Sequence, residues 1–238
     1  MEIIEFAGIK VDNVSLQESI DRVGEFLVSK QPHLIVTPNP EIIVTSQKDH
    51  ALKDVLNNAD LRVPDGISMV VVSRLLGKPL KERVSGIDLM LNIIKAYGDK
   101  YKIFLLGGAP GIAEAAADKL IQKQPRLNIV GTMDGFFGDD YAVIQQIEAC
   151  RPDILFVGLG GGRQEKWLNR HLKELNVPVA MVMGGSLDVI SGSKKRAPLI
   201  FQKLYIEWLY RLLSEPRRWK RQLALPKFLW LMFFGLSK

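Results

Sequence analysis

Short apolar runs rich in β-branched residues alternate with longer amphipathic stretches along most of this 238-residue chain. Parallel strands need a crossover between neighbours, usually a helix, so this alternation predicts βα units and a mainly parallel sheet. Strands are expected over residues 33–37, 61–63, 102–106, 128–132, 154–159 and 179–183. Ser15-Leu16-Gln17-Glu18 has the form of a capping box and opens a helix to about residue 30. A helix over residues 41–48 should follow the turn at Pro38-Asn39-Pro40, and an Ala-rich helix should follow Gly111. Residues 2–11 suit a small hairpin beside the main sheet. The fold class is α/β, a Rossmann-like sheet flanked by helices, with no internal repeat and no low-complexity linker.

Charge divides the chain in two. Residues 194–238 hold 11 Lys/Arg against Glu207 and Glu215, a net +9, which leaves residues 1–193 at −3 of the chain's +6. The reading is an α/β catalytic body over 1–193 and a basic, amphipathic helical appendage over 194–238. Lys203, Glu207 and Arg211 at i, i+4 spacing predict a polar stripe on a helix over residues 199–214. Phe201, Leu204, Tyr205, Trp208, Leu209 and Leu212 would form its apolar face. Beyond it lie the cluster Arg217-Arg218-Trp219-Lys220-Arg221 and an apolar run over 228–236. That run is far shorter than the roughly 20 residues a spanning helix needs. Basic and aromatic residues together suit the surface of an anionic membrane, with packing against the body as the structural alternative. A nucleic-acid-binding tail is the rival outside enzymology, but such a protein would not need the glycine-rich strand ends described next, so no nucleic acid is expected.

The only cysteine, Cys150, excludes an intramolecular disulfide and a Cys-based metal cluster. Met1 leads into Glu2-Ile3-Ile4-Glu5, without the basic and apolar regions of a secretory signal. A cytoplasmic protein, peripheral on the inner face of the cell membrane, is the expectation.

Polar residues and glycines gather where the expected strands stop, and in an open parallel sheet those ends share one ligand-binding edge. Gly107-Gly108-Ala109-Pro110-Gly111 fits either a phosphate-cradling turn or a plain tight βα turn. It departs from G-x-G-x-x-G and lacks the acidic residue about 20 positions on, so a nicotinamide cofactor is not supported. Gly160-Gly161-Gly162-Arg163-Gln164 reads as close backbone approach to a ligand, with Gln164 as donor and acceptor, against a flexible loop with a capping Gln/Glu. Asp65 in Pro64-Asp65-Gly66 is first of all a turn residue, and alternatively a general base beside a substrate hydroxyl. Thr37 and Asn39 are sugar-binding groups or caps; Arg83 meets phosphate or solvent. His33 and His50 have no partner at ligand spacing, His171 is placed on a surface helix, and no D-x-D pair exists. Asp139-Asp140 reads as a turn and helix cap. No metal and no cofactor are expected.

In order, Thr37-Pro38-Asn39, Pro64-Asp65-Gly66, Arg83-Val84-Ser85-Gly86, Gly107-Gly108, Gly158-Leu159-Gly160 through Gln164-Glu165-Lys166-Trp167, Gly184-Gly185-Ser186-Leu187-Asp188, Lys195-Arg196-Ala197-Pro198 and Glu207-Trp208-Leu209-Tyr210-Arg211-Leu212 cover nearly the whole chain. This ordered set resembles the WecG/TagA/CpsF family of bacterial glycosyltransferases. Gly162 stands where the family usually has proline, and Leu187 where it has phenylalanine. The resemblance implies inverting, metal-independent transfer of a sugar from a UDP donor to a polyprenyl-diphosphate-linked acceptor. For the TagA branch it implies UDP-N-acetylmannosamine as donor and undecaprenyl-diphosphate-GlcNAc as acceptor. A uronic-acid donor, or another sugar for an enterobacterial-type antigen or capsule, is the alternative within the family. By matching positions, it implies Asp65 as catalytic base, with Thr37, Asn39 and Gln164 positioning sugars. It further implies that Arg83 and Asp188 help hold the donor, with Arg211, Arg218 and Arg221 closing over its diphosphate, and Gly107, Gly108, Gly160 and Gly185 are expected among the substrate-binding residues. A homo-oligomer is compatible with the sequence.

Overall fold

A computed structural model describes residues 1–198, 200–201, 207–214, 219 and 223–235. Six parallel strands form the main sheet in the order β4-β3-β8-β7-β5-β6. They are β3 (His33–Val36), β4 (Leu61–Arg62), β5 (Ile103–Gly107), β6 (Ile129–Met133), β7 (Ile154–Gly158) and β8 (Val179–Val182). Each falls on an expected run. The central strands β5, β7 and β8 are apolar throughout, with a glycine closing the first two, because both faces of the sheet are covered. Phe104, Leu106, Leu155, Val157, Ala180 and Val182 point into one core. Ile103, Leu105, Ile154, Phe156, Val179 and Met181 point into the other, the period-two alternation of a pleated strand.

Around the second core pack α1 (Leu16–Ser29), α5 (Gly86–Tyr97), α6 (Ile112–Lys123) and α9 (Ser186–Ile190). Helix α1 begins as expected: the Ser15 hydroxyl accepts the Glu18 N–H, and the Glu18 carboxylate accepts the Ser15 N–H. The first core takes α2 (Pro40–Ser46), α3 (His50–Asn58), α4 (Ile67–Leu75), α7 (Asp140–Cys150) and α8 (Arg163–Leu175). The hairpin β1 (Ile3–Phe6) and β2 (Ile9–Asp12) adds to it. The buried Asp12 carboxylate receives both the backbone and the guanidinium of Arg62, tying the hairpin to edge strand β4. Asp139 caps α7 by accepting the Tyr141 N–H, as its dipeptide suggested.

In the basic segment, α10 (Glu207–Ser214) and α11 (Ala224–Phe234) are described. Phe228 and Met232 of α11 lie in the first core, Phe228 stacked on Phe6, with α2 and α4 alongside. The opposite side of α11 leaves Leu229, Trp230, Phe233 and Phe234 exposed. One face of this helix thus packs against the body, the structural alternative for this run, while another is exposed. The expected polar stripe on α10 does not hold at Glu207, which is buried and turned toward the body. Of the other two stripe residues, Lys203 and the side chain of Arg211 lie outside the described residues, as do Leu204 and Tyr205 of the expected apolar face. No helix among the described residues is long and apolar enough to cross a membrane.

Candidate active site

The carboxyl ends of β3, β4, β7 and β8 open onto one cavity of about 430 Å³. Thr37 and Asn39 enter from the β3 loop, Asp65 from the β4 loop, Gly160 and Gln164 from the β7 loop and Gly185 from the β8 loop. Arg83 joins them from the segment before α5. Seven of the residues singled out in the sequence therefore share one concave surface, although up to 148 positions separate them. Gly108 and Asp188 line a second hollow of about 270 Å³ with Gly135 and Arg163. Gly107 is in the lining of neither. It sits at φ +139° with its Cα side against Gly158, where an added Cβ would lie 2.4 Å from the Gly158 carbonyl oxygen. Its missing Cβ lets these two strand ends pack closely. Arg218 and Arg221 lie outside the described residues, as does the side chain of Arg211.

Asp65 is held by its neighbours. One carboxylate oxygen accepts the Gly86 N–H at 3.2 Å and the other lies 3.7 Å from Arg83 Nε. Arg83 in turn donates through Nη2 to Glu207 Oε2 at 2.7 Å. Burial works against the Arg83 charge, but the carboxylates of Asp65 and Glu207 outweigh it and hold the guanidinium above its ordinary range. Arg83 is neither a solvent residue nor free for phosphate alone.

Asn39 caps α2, its side-chain oxygen accepting the Ile42 N–H at 3.1 Å. Gln164 is buried and bridges two loops. Its carbonyl accepts the Gly184 N–H at 3.2 Å, and its amide donates to Glu165 at 2.9 Å. The other Glu165 oxygen accepts the Gly162 N–H at 2.6 Å. Gly162 has φ +82°, a value closed to proline, whose ring also lacks the N–H that Glu165 receives here. The glycine loop is therefore fixed by a glutamate rather than by a proline. Burial raises the Glu165 carboxyl above the ordinary glutamate range, with the Gln164, Gly162 and Lys166 interactions opposing that rise only in part.

The charged lining is lopsided: Glu41, Asp65, Glu165 and Glu207 against Arg83 among the described residues. Glu165 carried a local signal, its spacing as a cap. Glu207 carried none, because its partner lies 124 residues away. His171, expected on a surface helix, is largely covered, lying against Trp167 and within 3.3 Å of Asp140. Among the described residues no group of three or more His, Cys, Asp or Glu side chains could hold a metal ion.

A family model described as the Glycosyl transferase WecG/TagA/CpsF family matches residues 4–237. The chain is 38% identical over 204 residues to an N-acetylglucosaminyldiphosphoundecaprenol N-acetyl-beta-D-mannosaminyltransferase of Bacillus spizizenii, spanning 85% of this chain and 79% of that protein. It is 35% identical over 230 residues to a Staphylococcus aureus protein of the same name, spanning 95% of this chain and 91% of that one. The match runs from the hairpin through every strand end bordering the cavity to α11, and the chain belongs to the WecG/TagA/CpsF family of glycosyl transferases.

Proposed function

We propose that this chain moves N-acetylmannosamine from UDP-N-acetylmannosamine to undecaprenyl-diphosphate-linked N-acetylglucosamine. The transfer forms a β-1,4 bond with inversion and without a metal ion, an early step in building the wall teichoic acid linkage unit. The observation that carries the reading is Asp65 facing one cavity with Thr37, Asn39 and Gln164 in a chain of this family. The relatives' shared name supplies the acceptor and the sugar.

In the proposed step, the Asp65 carboxylate takes the proton of the acceptor hydroxyl while that oxygen attacks the anomeric carbon. The carbon–oxygen bond to UDP breaks, and its electron pair leaves on the diphosphate. The proton then passes from Asp65 to solvent. Guanidinium groups meet growing phosphate charge with paired N–H donors, the role assigned to Arg211, Arg218 and Arg221.

The acceptor's lipid also has a reasoned place. Ala224 and Leu225, at the start of α11, line the cavity, and the exposed Trp230, Phe233 and Phe234 follow on the same helix beside Lys227. Aromatic and basic residues in that arrangement suit an anionic membrane, so the chain is assigned to the inner membrane face as a peripheral protein.

The test offers purified protein a panel of UDP-sugars with a short-chain diphospholipid-GlcNAc in the presence of EDTA. UDP-N-acetylmannosamine should be consumed with formation of a β-linked disaccharide. Asp65→Asn should abolish turnover while leaving UDP binding intact; near-normal rates in that variant would remove Asp65 as the base.

A further inference from the structure

We propose that Glu207 is a positioning residue through which the C-terminal segment sets the basicity of Asp65. The inference rests on reading Asp65 as the base and goes beyond it. Five ionisable groups alternate in sign: Asp65, Arg83, Glu207, Arg196 and Asp88. Arg83 Nε lies 3.7 Å from Asp65 and Arg83 Nη2 lies 2.7 Å from Glu207. Glu207 Oε1 lies 3.9 Å from Arg196 Nε, and Arg196 pairs at its other end with Asp88. Glu207 is only 6% exposed, and its Oε1 and the Arg196 Nε are buried without a hydrogen-bond partner.

A surface ion pair would carry little consequence, but this one is largely out of water, where charges act on one another strongly. Glu207 divides the field of Arg83. With Glu207 in place, Asp65 faces a guanidinium already compensated from its far side and keeps a higher proton affinity. Without it, more of the Arg83 charge, shared then with Asp88, stabilises the Asp65 carboxylate and weakens it as a base. Arg196 acts in the opposite sense, because it draws on the charge that Glu207 offers to Arg83. Glu41 on α2 and Glu165 on α8 also line the cavity and stay constant in the comparison.

Only α10 supplies Glu207. Docking of that helix is therefore registered at Asp65 through one side chain, and a body without a docked α10 would have a poorer base as well as an incomplete cavity.

The experiment uses the full chain in three forms: unaltered, Glu207→Gln and Arg196→Gln. Carboxyl-carbon NMR of aspartate-labelled protein follows the Asp65 titration, its signal assigned by its absence from Asp65→Asn. Glu207→Gln should lower the Asp65 midpoint by roughly half a unit, less than a directly adjacent charge achieves, and Arg196→Gln should raise it. The acidic limb of kcat/KM should move with each midpoint. Opposite shifts cannot come from a loosened helix, which would alter both variants alike. Midpoints that stay put, or move in the same direction, overturn the proposal. Should Glu207→Gln fail to fold, Arg196→Gln alone decides by the presence or absence of its upward shift. Midpoints that move while the kinetic limb does not would uphold the coupling and remove Asp65 as the base.

Discussion

Glu165 sits where an ionised carboxylate is disfavoured, since it is buried beneath the glycine loop with Gly162 and Gln164 as its donors. Its raised folded-state affinity for a proton has a definite thermodynamic sign. The folded protein holds that proton to higher pH than the unfolded chain does. The stabilising contribution is complete below the ordinary glutamate value of 4.5 and is lost as pH rises through the raised folded-state value. Glu165→Gln removes the titration while keeping the side chain's size. The melting temperature of the unaltered protein minus that of the variant should therefore fall as pH is raised from 4.5. A difference that stays flat from acid to neutral pH would show that the carboxyl does not titrate differently on folding.

At the scale of elements, α11 separates two tasks by face. Phe228 is fully buried against Phe6, and Phe228→Ala should lower stability by about 3–5 kcal/mol, read from denaturant unfolding, because the emptied space refills poorly. Trp230 is 59% exposed, so Trp230→Ala should leave the unfolding midpoint almost unchanged while weakening sedimentation with anionic vesicles. An equal stability loss in both variants would contradict the two-faced helix. Much of this architecture was legible beforehand, for local reasons. Strand runs announce themselves through β-branched residues, and Ser15 with Glu18 writes a helix start within four residues. Thr37, Asn39, Asp65 and Gln164 were legible as a group because a parallel sheet brings its strand ends to one edge. Glu207 was not, since i, i+4 spacing describes a helix surface but says nothing of a buried guanidinium from elsewhere in the chain. At Gly107 the missing Cβ also lets the neighbouring strand end at Gly158 lie close.

At the scale of the whole molecule, the division by charge is not a division by packing. Residues 194–238 carry a net +9 against −3 for the rest of the chain, yet Phe228 and Met232 belong to the core that also takes Phe6, Ile43 and Met69. Glu207 from the same segment satisfies Arg83 inside the cavity. Ending the chain after Ser193 should therefore do three things at once. It uncovers the apolar seat of α11 on α2 and α4, so the melting temperature should fall, by several degrees at least for a domain of this size. It takes the Glu207 carboxylate from Arg83 and leaves Asp65 and Asp88 facing that guanidinium, a change of charge balance at the candidate base. It removes Arg211, Arg218 and Arg221, so transfer should fall by orders of magnitude even at temperatures where the shortened body remains folded. Adding the missing segment as a separate peptide distinguishes these effects. Restored melting temperature without restored transfer would assign the segment to packing alone, whereas recovery of both is the outcome expected if one stretch of chain completes the core and the site together.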